Sequence, residues 1–141
     1  MNTVHTLQEY VVALRDAGIL TGCTVPEALL GRGVECLTYD TRTLRENALF
    51  ICKGAHFKEE YLRDALSHGA FAYVAEQQHD VDAPCILVSD IRYSLVVLGQ
   101  LFYDHVTDKL TSIGITGTKG KSTTAYYVRY ILNDWLRAQD R

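Results

Sequence analysis

Residues 110–124, LTSIGITGTKGKSTT, constrain this chain more than any other stretch. The alternating apolar run Leu110 to Ile115 predicts a buried strand. Gly117-Thr118-Lys119-Gly120 then predicts a tight turn, and Lys121-Ser122 opens a helical pattern. Strand, glycine loop, Lys-Ser and helix form the arrangement of a phosphate-binding loop. Glycine at 117 and 120 lets the backbone take positive φ and bring N–H groups close to an anion. The helix that follows adds the positive end of its dipole. Lys121 supplies a point charge for the β- and γ-phosphates, and the Ser122 hydroxyl is placed to ligate Mg²⁺. The strict pattern asks for glycine five positions before Gly120, where this chain has Ile115, so the loop is a variant. The plain alternative is a glycine turn with a surface lysine. Gly-Lys-Ser at a strand-to-helix junction favours the phosphate site.

The rest of the chain alternates strand and helix patterns and predicts an α/β fold. Thr6 to Glu9 fits a capping box, with Leu7, Tyr10, Val11, Leu14 and Ala17 at helical spacing before Gly18. Residues 18–33 carry four glycines and Pro26 and read as loop with at most a short turn of helix. Strands are expected at Val34 to Tyr39, Ala48 to Lys53, Phe71 to Ala75 and Cys85 to Val88, with Asp40-Thr41-Arg42 as a polar corner. Helices are expected over Glu59 to His68, from Asp90 to near Asp104, and from Ser122 to about Arg137. The last is expected to bury Ala125, Val128, Leu132, Trp135 and Leu136. Tyr126, Tyr127 and Tyr130 on that helix read as packing residues and not as a base-stacking platform. At 141 residues the length alone suggests about one domain, large enough for a proper core.

Charge and cysteine usage exclude several classes. A net charge of −3 leaves no electrostatic footprint for nucleic acid or an anionic membrane surface. Cys23, Cys36, Cys52 and Cys85 are scattered with no metal-ligand spacing, and read as free thiols of a reducing cytosol. His5, His68, His79 and His105 have no partner pattern and read as surface or helix-end residues. The first residues show neither a basic start nor an apolar core of a leader, and the expected compartment is the cytoplasm.

The loop GITGTKGKSTT resembles the ATP loop of the Mur ligases, which build the peptide stem of bacterial peptidoglycan. Three further matches hold the same register: LTYDTR at 37–42 with NALFICKG at 47–54, ALSHGA at 65–70, and LFY at 101–103. Within the family the pattern is most similar to MurE, which adds the third stem residue. MurF is the alternative, and a non-catalytic UDP-sugar-binding module with a vestigial loop is a further one.

The resemblance implies a UDP-MurNAc-binding domain over residues 1–106, a small mixed sheet with flanking helices, followed over 107–141 by the first strand, loop and helix of a P-loop ATPase domain. It implies ATP and Mg²⁺ as cofactors and a UDP-MurNAc-dipeptide as the substrate. Thr41 occupies the place of a hydroxyl that contacts the uridine diphosphate. Tyr39 would line the uracil pocket, and His56 is the candidate from the following loop. Gly117, Thr118, Lys119, Gly120, Lys121, Ser122 and Thr123 would hold ATP, with Lys121 stabilising the transferring phosphoryl group and Ser122 on Mg²⁺. Asp40 and Arg42 are expected to brace their turn and not to touch ligand. The family's remaining ATPase elements and its amino acid-selecting domain do not fit between Lys121 and Arg141. The expectation is therefore an N-terminal portion of a ligase, inactive alone, and the added amino acid (lysine or diaminopimelate) is left open.

Overall fold

The computed structural model describes residues 3–54 and 57–139. The chain divides into two compact units, Met1–Lys109 and Leu110–Arg141.

The first unit is built on one five-stranded mixed sheet. Its strands are β1 (Leu20–Cys23), β2 (Cys36–Thr38), β3 (Ala48–Ile51), β4 (Ala70–Ala75) and β5 (Cys85–Val88), in spatial order β1-β5-β4-β3-β2. β2 through β5 run parallel, and β1 closes the edge antiparallel to β5. Four α-helices are found among the described residues of this unit: α1 (Leu7–Asp16), α2 (Glu27–Leu30), α3 (Glu59–Ser67) and α4 (Ile91–Phe102).

The two-residue period of β3 and β4 sorts their side chains onto opposite faces. Leu49, Ile51, Ala72 and Val74 join Leu7, Tyr10, Leu14 and Leu98 in one core, under α1 and α4. Ala48, Phe50, Tyr73 and Ala75 join Leu62 and Ala65 in a second core, under α3. Both faces of the parallel strands are therefore covered, as their almost unbroken apolar sequence requires. α1 starts where expected: the Glu9 carboxylate accepts the Thr6 backbone N–H at 2.7 Å and the Thr6 hydroxyl at 2.8 Å. Asp90 caps α4, accepting the N–H groups of Arg92 (2.8 Å) and Tyr93 (2.9 Å).

Residues 18–33 differ from expectation, because Leu20–Cys23 is a strand. Its glycine-rich composition reads as loop, yet it pairs with β5, and its register shifts between Leu20 and Gly22. Gly22 faces Leu87, where an added Cβ would come within 3.2 Å of the leucine Cδ1. Close approach to a neighbouring side chain, and not a turn, explains that glycine. The short helix expected in this region is α2.

In the second unit, residues 111–117 are not a strand, contrary to the expectation for Leu110 to Ile115. An extended segment registers as a strand only when a neighbour completes its hydrogen-bond ladder, and no such partner exists among the described residues. Helix α5 (Lys121–Gln139) forms as expected but buries none of its side chains. Trp135 and Leu136, expected to be buried, are 57% and 53% exposed.

Candidate functional site

The parallel strands β2, β3 and β4 end together, and open parallel sheets bind ligands beyond the carboxyl ends of their strands. A cleft of about 440 Å³ lies there. Tyr39, Asp40, Thr41 and Arg42 after β2 line it, with Phe50 of β3, Lys53 and Gly54 just beyond it, and Phe57 and Tyr61.

The β2 side is a rigid hydrogen-bonded corner. Thr41–Thr43 form one turn of 3₁₀ helix, for which Asp40 is the cap. The Asp40 carboxylate accepts the Arg42 N–H at 3.0 Å and its Nε and Nη2 at 2.9 and 2.6 Å. The guanidinium beside it holds the Asp40 carboxyl at a pKa of about 2, so it is ionised at any physiological pH. Beneath, the Thr38 hydroxyl accepts the Asp40 N–H at 3.0 Å and lies 2.7 Å from the Thr43 hydroxyl, which donates to the Asp40 carbonyl at 3.0 Å. These bonds leave the Thr41 side chain on the cleft wall beside Tyr39.

The sequence-based assignments for Tyr39 and Thr41 thus meet in one cleft. His56 lies outside the described residues. The bracing role expected of Asp40 and Arg42 is what their hydrogen bonds show, although both also line the cleft. Lys53, Phe57 and Tyr61 carried no assignment in the sequence. Only the fold brings these three residues opposite the Asp40 corner.

A second cleft of about 720 Å³ shares Lys53, Gly54 and Phe57 with the first and runs on to Glu76, His79, Asp90 and Arg92. His79 is not a surface residue: its side chain is 11% exposed. Its ring packs at 5.2 Å from Phe57 and 5.9 Å from Tyr73. Cys52 also borders this cleft, but burial pushes its thiol up to about 12, which removes it as a nucleophile. Cys36, Cys52 and Cys85 are buried and Cys23 is exposed. Among the described residues no three His, Cys, Asp or Glu side chains gather as a metal site, and no helix is long and apolar enough to cross a membrane.

The glycine loop of the second unit is a separate candidate. Gly117 and Gly120 take φ of +151° and +78°, conformations that a side chain would oppose. Lys121 reaches back over the turn, its Nζ donating to the Gly117 carbonyl at 2.5 Å. The helical ladder begins with the Thr124 N–H on the Gly120 carbonyl at 2.9 Å, so the amides of Lys121, Ser122 and Thr123 precede it. A lysine folded over a loop of two positive-φ glycines, ahead of unladdered amides, suits a phosphate chain. Ser122 offers one hydroxyl for a cation that phosphates would also ligate.

No known-family model matches the chain. Curated relatives do. It is 45% identical over 111 residues to the UDP-N-acetylmuramoyl-L-alanyl-D-glutamate–L-lysine ligase of Enterococcus faecalis, a match covering 78% of this chain and 22% of that one. The ligase of the same name from Streptococcus thermophilus is 46% identical over 96 residues, or 68% of this chain and 20% of the relative. The chain thus spans about a fifth of the length of the curated relatives it matches. Among solved structures, a UDP-N-acetylmuramoylalanyl-D-glutamyl-2,6-diaminopimelate–D-alanyl-D-alanyl ligase from Acinetobacter baumannii superposes with a TM-score of 0.62 at 21% identity, over 87% of this chain and 26% of its own. MurF from the same organism gives 0.55 at 18% identity, over 71% of this chain and 21% of its own. Those identities carry the fold alone, and the fold they carry agrees with the relatives found by sequence. The curated relatives and the solved structures agree: the chain is similar to Mur ligases, over about a fifth of their length.

Proposed function

We propose that this chain is the part of a MurE-type ligase that docks the nucleotide end of UDP-MurNAc-L-Ala-D-Glu and contributes the phosphate loop of its ATP site, acting in the cytoplasm. The observation that carries the reading is the cleft at the strand ends. It pairs aromatic faces of Tyr39, Phe57 and Tyr61 with a hydroxyl on a braced turn and a lysine at its rim. Aromatic faces suit a base, and the hydroxyl and ammonium suit a ribose and a diphosphate. The Thr41 hydroxyl would contact the uridine diphosphate and Tyr39 would flank the uracil. His56 keeps its candidacy for the same pocket.

In the glycine loop, Thr118, Lys119 and the amides of residues 120–123 would surround the ATP phosphates. Lys121 would exchange its bond to the Gly117 carbonyl for the β- and γ-phosphate oxygens. With Mg²⁺ on Ser122, ATP supplies the phosphoryl group that activates a substrate carboxylate for attack by an amine. Lys121 would stabilise the charge developing on that group as it transfers. The names of the sequence relatives favour L-lysine as the amine and a MurE-type over a MurF-type reaction. The MurF neighbours stand below the identity at which a fold speaks for a substrate.

Calorimetric titration tests this. Saturable binding of UDP-MurNAc-L-Ala-D-Glu, weakened in Thr41→Ala but kept in Lys121→Ala, is expected. Mg-ATP binding, where detected, should show the opposite dependence. ATP binding with no response to the UDP compound would overturn the reading in favour of an unrelated phosphotransferase.

A further inference from the structure

Lys53 sits at the seam of the two clefts, two residues beyond the end of β3, and lines both of them. Its backbone N–H donates to the Ile51 carbonyl at 2.9 Å, a tight turn that ends β3 and projects the side chain from the strand ends. Its ammonium rests 5.0 Å from the centre of the Tyr39 ring. The other cation of the first cleft, Arg42, is committed to Asp40 through a bidentate pair. Among the described residues Lys53 forms no ion pair with a carboxylate, so it is the uncompensated positive charge of that cleft. In the larger cleft Asp90 is engaged as the cap of α4, and Glu76 accepts the Ile91 N–H at 3.0 Å. Those carboxylates face the start of a helix and leave the lysine without a neutralising partner.

We propose that Lys53 is the positioning residue for the diphosphate of the nucleotide-sugar, holding it at the seam between the aromatic cleft, which takes the base, and the larger cleft, which takes the sugar side. This rests on the nucleotide-sugar reading above and adds a residue and a division of labour to it. A lysine seated over an aromatic ring has a short path to a diphosphate whose base lies against that same ring. The cation–π contact keeps the flexible side chain near its working position while the cleft is empty, which lowers the ordering lost on binding. The competing view is that Lys53 only fixes the Tyr39 ring. That view predicts equal effects on ligands with and without phosphate.

The experiment is NMR titration of the 141-residue chain and its Lys53→Met and Lys53→Arg variants with uridine, UMP and UDP, at two salt concentrations. Thermal melts establish that each variant is folded. Lys53→Met is expected to weaken UDP about tenfold, as for loss of one charge-assisted contact, while leaving uridine unchanged. Lys53→Arg should keep most of the UDP affinity, and raising the salt should weaken UDP in the wild type more than in Lys53→Met. An equal loss for uridine and UDP, or unchanged UDP affinity in Lys53→Met, overturns the role assigned to Lys53 and leaves the cleft's function standing. A wild-type chain that binds none of the three ligands overturns the nucleotide-sugar reading, and this proposal with it.

Discussion

Replacing Thr38 by valine isolates one hydroxyl, because the two side chains have nearly the same shape. Thr38 is 9% exposed and sits under the corner that presents Thr41. Its oxygen accepts the Asp40 N–H at 3.0 Å and lies 2.7 Å from the Thr43 oxygen. Valine removes these bonds and the hydroxyl's 3.2 Å bond to the Asp40 carbonyl, which still accepts from Thr43, and the consequences differ. Thr43 is exposed and turns its hydroxyl to water at little cost. The part-buried Asp40 N–H has no other acceptor within the corner, and an amide left unpaired out of solvent costs roughly 1–3 kcal/mol. Added apolar burial from the valine methyl offsets a fraction of this, and the net expected loss is about 1–2 kcal/mol. For a unit of this size each kcal/mol corresponds to about 4–8 °C in Tm. Thr38→Val should therefore melt about 4–16 °C below the wild type, while Thr38→Ser, which keeps the oxygen, should stay much closer to it. UDP affinity should fall several-fold in Thr38→Val at a temperature where the variant is folded, because the turn carrying Thr41 is no longer pinned. Chemical denaturation and a UDP titration on the three proteins measure both effects. If Thr38→Val matches the wild type in melting and in UDP affinity, the corner is not held as described.

Other perturbations separate packing from charge. Gly69 takes φ of +113°, and a Cβ there would stand 2.9 Å from the Arg45 carbonyl oxygen. Gly69→Ala should lose about 1–3 kcal/mol in a urea melt, and an unchanged midpoint would remove backbone strain from the account of this turn. His5 lies between Glu9 (3.0 Å) and Asp104 (3.2 Å). Its pKa is raised above 6.5, chiefly by the Glu9 hydrogen bond with Asp104 adding to it, and against burial. A raised histidine contributes stability that is complete below its unfolded pKa and is lost as pH rises through the folded value. Glu9, lowered from 4.5 to about 2 by His5 and the Thr6 hydrogen bonds, contributes above 4.5 and loses that contribution as pH falls toward 2. The stability difference between wild type and His5→Gln should therefore be largest between about pH 4.5 and 6.5 and shrink at higher pH. A difference that grows toward pH 9 in denaturant melts would contradict the pairing.

Local chemistry was the readable part of this sequence. Asp90, the Thr6–Glu9 pair and the helical spacing of Ile91, Leu95 and Leu98 mark helices whose signals lie within a few residues of the helix. Cys85 to Val88 reads as a strand because it is a run of four apolar residues, three of them buried and Leu87 partly so, in a sheet covered on both faces. β1 was hidden for the opposite reason: Leu20–Cys23 contains a glycine that a distant leucine selects. The Leu110 to Ile115 run has a strand's pattern without a neighbour to pair with in the described residues, since a strand depends on its partners. The cleft was legible on one side only. Tyr39 and Thr41 lie two residues apart on the turn that follows β2, whereas Lys53, Phe57 and Tyr61 reach them through the β2–β3 register of Cys36 to Ala48 and Thr38 to Phe50. No local pattern in the sequence encodes that pairing.

The central claim is that the ends of the parallel strands hold the nucleotide end of UDP-MurNAc-L-Ala-D-Glu. Backbone amide shifts of the isotope-labelled chain, followed while that compound is added, test it most directly. The account predicts saturable shifts concentrated on Tyr39 to Arg42, Lys53, Gly54, Phe57 and Tyr61, and their loss of saturation in Thr41→Ala. Shifts confined to Tyr126, Tyr127 and Tyr130 of α5, or none at all at millimolar ligand, would contradict it.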